Sequence, residues 1–169
     1  MDAIEAILSR RSIRQYTSQP VPDEIVRELL TAAMSAPSAV NEQPWQFIVI
    51  TDRHLLNGIP QITPYAQMAK DAALVVLVCG DTTREKYHGF WPQDCAAATE
   101  NLLIAANARG LGAVWCGVYP VDERVQGLRR YLQLPDYIVP FSLVPIGYPA
   151  EKREPRHRYD GSRVHFNGW

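Results

Sequence analysis

The sequence predicts an α+β fold in one domain, from three observations. Ala72 to Cys79 is apolar at every position over strand length, as a central strand buried on both faces is. Helical periodicity covers Val21 to Pro37 and again the Ala-rich run Pro92 to Arg109. Helices come first along the chain, and strands separated by helices follow, with no repeat at 20–50 residues. A chain of 169 residues is long enough for one sizeable core.

Each element has a local reason. Asp2 to Arg10 reads as a short helix with Ile4, Ile7 and Leu8 on one face. Val21-Pro22-Asp23-Glu24 is a helix start, with Pro early and acids in the first turn. Ile25, Leu29, Ala32 and Ala33 form its buried stripe, and Pro37 ends it. Trp45 to Ile50 reads as a strand. Asp52 caps a short helix that Gly58-Ile59-Pro60 is expected to break. Gly110 and Gly112 stop the long Ala-rich helix. Ala113 to Val118 reads as the next strand and Val121 to Tyr131 as a helix. Phe141 to Gly147 is a strand whose Pro145 points to an edge or a bulge. Residues 150–169 have no period, yet they carry Tyr159, Val164, Phe166 and Trp169, which are poor candidates for a tail left in water.

Composition narrows the function. Hydrophobic residues make up 47%, charged residues 21%, and the net charge is −1, so neither a nucleic-acid nor a membrane surface is indicated. No apolar stretch reaches the roughly 20 residues that span a bilayer. Positive charge gathers at the two ends: three Arg against two acids in residues 1–14, and five Lys/Arg against three acids in 151–169. Cys79, Cys95 and Cys116 form no CxxC pair, and an odd count with no leader-like segment fits a reducing cytoplasm. His54, His88, His157 and His165 have no ligand spacing, so no metal site is expected. Neither GxSxG nor GxGxxG occurs. Asp94 and Glu100 lie on poorly aligned helix faces, so no paired-carboxylate mechanism is expected.

Two short polar segments carry chemistry. Arg10, Arg11, Ser12 and Arg14 put three guanidinium groups and a hydroxyl within five residues. That set suits a phosphate dianion, although cations closing a helix explain Arg10 and Arg11 equally well. Pro37, Ser38, Ala39, Asn41 and Gln43 form a helix-to-strand loop of ordinary turn composition. Its neutral donors and acceptors also suit the edge of a polar heteroaromatic ring. Together, a phosphate site and a ring-reading loop held apart by one helix suit a mononucleotide such as a flavin. Cys116, Gly117 and Val118 lie at a strand end, where backbone can approach a ligand closely at glycine.

The chain resembles the FMN-dependent nitroreductases. The matching pieces, in order, are Arg10-Arg11-Ser12-Ile13-Arg14, Ala36-Pro37-Ser38 through Asn41-Glu42-Gln43-Pro44-Trp45, Ala105-Ala106 through Gly110-Leu111-Gly112, and Gly147-Tyr148-Pro149 with the basic tail. The resemblance implies a mainly antiparallel sheet flanked by helices in three layers, in an intertwined homodimer. Residues 1–149 would form the FMN-binding domain, and 150–169 an extension packed on the partner subunit. It implies FMN phosphate and ribityl contacts from Arg10, Arg11, Ser12 and Arg14, completed by Arg156 and Arg158 after Pro155. Lys152 and Arg153 read as solvated. The 37–43 loop would lie on the flavin ring, with Asn41 on its polar edge and the backbone of 116–118 near N5. Tyr65, Tyr87, Phe90 and Trp91 fall where substrate-covering segments lie. The implied activity is hydride transfer from NADH or NADPH through flavin N5 to a nitroaromatic, quinone or similar small oxidant, with no catalytic side chain required. Alternatives are a dehalogenase or enone reductase on the same scaffold, or a non-catalytic flavin-binding redox sensor.

Overall fold

The computed structural model describes residues 1–169. Its elements are α1 (Ala3–Ser9), α2 (Asp23–Met34), β1 (Trp45–Ile50), α3 (Arg53–Ile62), β2 (Leu74–Asp81), α4 (Trp91–Ala108), the short β3 (Gly112–Ala113) and β4 (Cys116–Gly117), α5 (Asp122–Tyr131) and β5 (Ile138–Gly147). The sheet runs β1-β2-β5-β3, with β4 also on β5, and every pairing is antiparallel. This is the expected α+β class with an antiparallel sheet.

Alternation along the two inner strands explains the three layers. Leu74, Val76 and Val78 of β2 join Val144 and Ile146 of β5 beneath Leu29 and Ala33 of α2 and Cys95, Ala98 and Leu102 of α4. The intervening Val75, Leu77, Cys79 and Leu143 meet Leu56 and Ile59 of α3 and Val125 and Leu128 of α5 on the other face. Both faces of β2 are therefore dry, which is why its sequence shows no polar alternation. Each such side chain contributes about 1.5–3 kcal/mol on burial.

Three local expectations are corrected. Helix α3 continues through Pro60 to Ile62 instead of breaking at Gly58. Leu56 and Ile59 are fully buried on either side of Gly58, and two such burials offset a Pro cost of about 3 kcal/mol. Gly58 is a packing position: a Cβ there would lie 2.0 Å from the Tyr131 hydroxyl, which donates to the Leu55 carbonyl at 3.0 Å. The 113–118 strand is interrupted at Val114-Trp115. Pro145 lies opposite that interruption, with its carbonyl accepting from Val114 N–H at 3.4 Å, so its missing donor falls where the ladder is broken. Strand β5 is accordingly interior, and its bulge lies at Pro140-Phe141, opposite Val78/Cys79. The bulge turns Phe141 towards Trp91, Trp115 and Tyr119, with ring centroids 5.7–6.4 Å away.

Residues 150–169 contain one short 3-10 turn, Gly161–Arg163, and Tyr159, Phe166 and Trp169 are almost wholly exposed.

Candidate functional site

After α1 the chain runs extended beside β3. Ile13 N–H donates to the Ala113 carbonyl at 3.0 Å, and Ile13 is buried. Gly112 permits the approach, because a Cβ there would sit 2.5 Å from the Ile13 side chain. With Ile13 turned inward, Ser12 and Arg14 project outward. The C-terminal segment returns along this edge. Ala150 N–H reaches the Gln15 carbonyl at 2.9 Å, Arg14 N–H donates to Glu151 Oε1 at 2.6 Å, and Arg11 Nε donates to the Glu154 carbonyl at 2.9 Å.

Between these strands lies a cleft of about 400 Å³ lined by Arg11, Ser12, Arg14, Arg153, Glu154, Arg156 and Arg158, with no apolar residue. Five guanidinium groups face one acid. Arg11 Nη1 bonds the Arg10 carbonyl, but Arg11 Nη2 is buried with no acceptor. A buried charged donor left unpaired costs about 1–3 kcal/mol or more, and an anion with several acceptor oxygens removes that cost. Arg153 is exposed, as expected, and it also lines the cleft. Glu151 Oε2 holds both its Nε and Nη2 at 2.9 Å. The Arg14 N–H first, and Arg153 after it, keep the Glu151 carboxyl below its ordinary value. Arg10 is turned away: its Nε pairs with Glu100 on α4 at 3.3 Å, and it lines an adjoining groove shared with Arg11, Arg156 and Arg158. A larger cleft, about 680 Å³, lies between residues 16–26 and the ends of β1 and β2. Its arginine, Arg53, is already bonded to the Lys70 and Ala72 carbonyls.

The β3–β4 edge runs beside the arginine segment, through the Ser12–Ala113 bridge and the Ile13–Ala113 hydrogen bond. Val114 and Val118 N–H groups both point to β5, so by alternation Gly117 turns its N–H and carbonyl to the open edge. A Cβ at Gly117 would meet nothing within 4 Å. Arg124 Nη1 donates to the Gly117 carbonyl at 2.9 Å, with its guanidinium 4.8 Å over the Tyr65 ring. Of the three residues expected here, Gly117 presents an open backbone N–H, its carbonyl being held by Arg124. Val118 N–H is committed to the Phe141 carbonyl at 3.1 Å. Burial pushes the Cys116 thiol up to about 11, against a smaller pull from Arg14, so it stays a thiol at neutral pH and is no nucleophile.

The 37–43 loop is held differently. Ser38 Oγ accepts from Gln43 N–H, and Asn41 Oδ1 from Gln43 Nε2, both at 3.0 Å. Val40, Asn41 and Gln43 adopt φ of 42°, 55° and 48°, a left-handed backbone that non-glycine residues seldom hold. Ala39 N–H donates to Asp94 Oδ1 at 3.0 Å, in the first turn of α4. Asn107, near the other end of α4, bonds the Ala6 carbonyl and Ser9 Oγ at the close of α1. Asp94 and Asn107 are about 20 Å apart along the helix at a rise of ~1.5 Å per residue. None of residues 37–43 lines the arginine cleft. The single site expected from the two segments is thus divided within one chain, with its halves towards opposite ends of α4.

Trp91, expected as a pocket wall, is core, whereas Tyr65, Tyr87 and Phe90 are exposed. No three His, Cys, Asp or Glu side chains converge as metal ligands. Sequence reasoning missed Asp94 as the anchor of the loop, since an acid in a first helical turn is ordinary there. It also missed Glu42, buried beside it.

The model of the Nitroreductase family matches residues 7–83 and 63–148. A protein of Methanothermobacter thermautotrophicus, provisionally named an NADH dehydrogenase/NAD(P)H nitroreductase, is 50% identical over 169 residues, covering 100% of this chain and 88% of its own. A crystal structure from Clostridium acetobutylicum, provisionally named an NADH oxidase, superposes with a TM-score of 0.95 at 40% identity, covering 97% and 99% of the two chains. A nitroreductase-like protein of Desulfovibrio desulfuricans, solved in complex with FMN, gives 0.86 at 30% identity over 100% and 98%.

Proposed function

The chain belongs to the nitroreductase family, and from that premise we propose that it is an FMN-dependent oxidoreductase acting between NADH or NADPH and small oxidants such as nitroaromatics and quinones. The observation that carries the cofactor is the arginine cleft, with its buried, unpartnered Arg11 Nη2. Such a donor set fits a terminal phosphate, and the cleft has no second acid to repel one. Bound FMN would supply the hydride chemistry, accepting at N5 and delivering to the oxidant. The chain's own residues bind and orient. Arg11, Ser12, Arg14, Arg156 and Arg158, with Arg153 held by Glu151, take the phosphate and ribityl end. Arg10 shares the adjoining groove with Arg11, Arg156 and Arg158 and joins them when its Glu100 pair opens. The open Gly117 edge, near Cys116 and Val118, offers a backbone donor to the ring.

The remaining half, Pro37, Ser38, Ala39, Asn41 and Gln43, comes from a second copy in this reading. The division of the site along α4 supports a homodimer, as does the exposed aromatic tail. We assign residues 1–149 to the FMN-binding domain and 150–169 to an extension that first runs along residues 11–15 of its own chain as far as Glu154 and whose exposed aromatic end packs on the partner. Three free, buried cysteines support a cytoplasmic location. No helix is long and apolar enough to cross a membrane.

The purified protein should be yellow, release FMN on heating, and oxidise NADH or NADPH when a nitroaromatic or quinone is added. Release of FAD would overturn the cofactor assignment. Colourless protein that takes up no added FMN would overturn the flavin reading. FMN-loaded protein inert towards both nicotinamides would leave a binding protein in place of an enzyme.

A further inference from the structure

Two buried acids have no part in the proposed function. Glu42 is 2% exposed and Asp94 5%. Glu42 belongs to the 37–43 loop and Asp94 to α4. Glu42 Oε2 accepts from Lys86 N–H at 2.7 Å and from Tyr87 N–H at 3.4 Å, while Asp94 Oδ1 accepts from Ala39 N–H. Their other oxygens, Glu42 Oε1 and Asp94 Oδ2, are buried without any donor. No cation pairs with either acid. Arg84 Nε is spent on the Gln43 carbonyl, the Lys86 side chain is exposed, Asp81 is bonded to Thr83, and Glu85 is bonded to His88.

Ala39 N–H donates to Asp94 and Glu42 N–H closes onto the Ala39 carbonyl at 2.9 Å, so both buried acids hang from one turn, and two such carboxylates without a counter-ion are costly to keep charged side by side. One proton resolves both defects, because a protonated carboxyl becomes the donor that the orphaned oxygens lack. We infer that Asp94 and Glu42 hold a single proton between them in a carboxyl-to-carboxylate hydrogen bond, and that this bond makes them positioning residues for the flavin-ring loop. The positioning of a flavin-ring loop rests on the proposed function; the shared proton does not.

The bond joins three pieces of chain: the ring loop through Glu42 and Ala39, the 84–88 loop through Lys86 and Tyr87, and the start of α4. The ring loop needs such a tie, since three of its residues sit in left-handed backbone. Burial, and then the hydrogen bond and charge of Glu42, push the Asp94 carboxyl above its ordinary value against the Ala39 N–H. A raised folded value fixes the sign. The tie is intact at low pH and is lost as pH rises through that value, when the proton leaves to water and two anions repel. Loop order and FMN affinity then fall together.

The test uses full-length protein, without and with FMN. Infrared spectra of the apo-protein at neutral pH should contain the C=O stretch of a protonated carboxylic acid that disappears in Asp94→Asn. The asparagine amide donates permanently to Glu42, so Asp94→Asn should keep FMN affinity within about threefold of wild type and flatten its decline at high pH. Asp94→Ala should weaken FMN by about tenfold, the worth of one lost anchoring hydrogen bond. Absence of any acid band assignable to Asp94 would overturn the shared proton. A wild-type pH profile retained in Asp94→Asn would overturn the positioning role. The infrared result needs no flavin, so it stands whether or not the flavin assignment does.

Discussion

At the scale of residues, the phosphate cleft depends on charge density and on who holds each guanidinium. Arg11→Ala and Arg14→Ala should each weaken FMN binding by roughly one to two decades, since a charged hydrogen bond contributes about 1.5–3 kcal/mol. Titration of apo-protein by flavin fluorescence measures this, and unchanged dissociation constants would place the phosphate elsewhere. Glu151 adds a pH dependence of opposite sign to that of Asp94. Its folded value is depressed, so its grip on Arg14 N–H and Arg153 is present above the ordinary carboxyl range. That grip is lost as pH falls through the depressed value. FMN affinity should therefore drop at acid pH in the wild type, and less steeply in Glu151→Gln. Equal acid slopes by fluorescence titration would contradict that role. The N-terminal arginines were legible because three lie within five residues. Arg153 was not, because its place depends on Glu151, whose own position depends on a contact with Arg14 across the whole chain.

At the scale of elements, the sequence located all five α-helices and the three long strands, because burial on one or both faces leaves its mark there, but it missed the 3-10 helix Pro64–Asp71 and the first three residues of β5. Trp45–Ile50 matches its expected bounds. The misreadings arose where tertiary contact overrode a local signal. Gly58 and Pro60 read as a stop, yet α3 continues because Leu56 and Ile59 reach the core. Gly58 serves the crossing with α5. Gly58→Ala should then destabilise the protein by about 1–3 kcal/mol through overpacking against Tyr131, although alanine favours a helix by about 1 kcal/mol over glycine. Denaturant melts of Gly58→Ala, and of Gly58→Ala with Tyr131→Ala, check this: the clash should be absent from the pair. A more stable single variant would mean that the Tyr131 ring moves aside freely. The Phe141 bulge left no sequence signal beyond Pro140 and Pro145, since either proline alone also fits a sheet edge.

At the scale of the whole molecule, one chain carries the parts of a flavin site without assembling them. The sequence presented the arginine segment and the ring loop as neighbours across one helix. The fold sets them towards opposite ends of a different helix, α4, and separations through space are what sequence proximity hides. The tail adds a second requirement for a partner. Tyr159, Phe166 and Trp169 stand in solvent, and burying three such side chains offers about 1.5–3 kcal/mol each before entropy. Removing residues after Ala150 deletes Arg153, Arg156 and Arg158 as well, so the truncated chain should lose dimer and flavin together in light scattering with absorbance detection. A truncated protein that stays a yellow dimer would show that the tail does neither.

In the proposed dimer each FMN is held by the arginine cleft of one copy and the ring loop of the other. Complementation in differently tagged heterodimers tests it directly. One chain carries Arg11→Ala with Arg14→Ala, and its partner carries Ser38→Ala with Asn41→Ala. Each homodimer should bind FMN weakly at both sites. The purified heterodimer should regain one site of wild-type affinity per dimer, because one composite site then contains no substitution. A heterodimer with no wild-type site would mean that cleft and loop of the same chain act together, and would contradict the shared site.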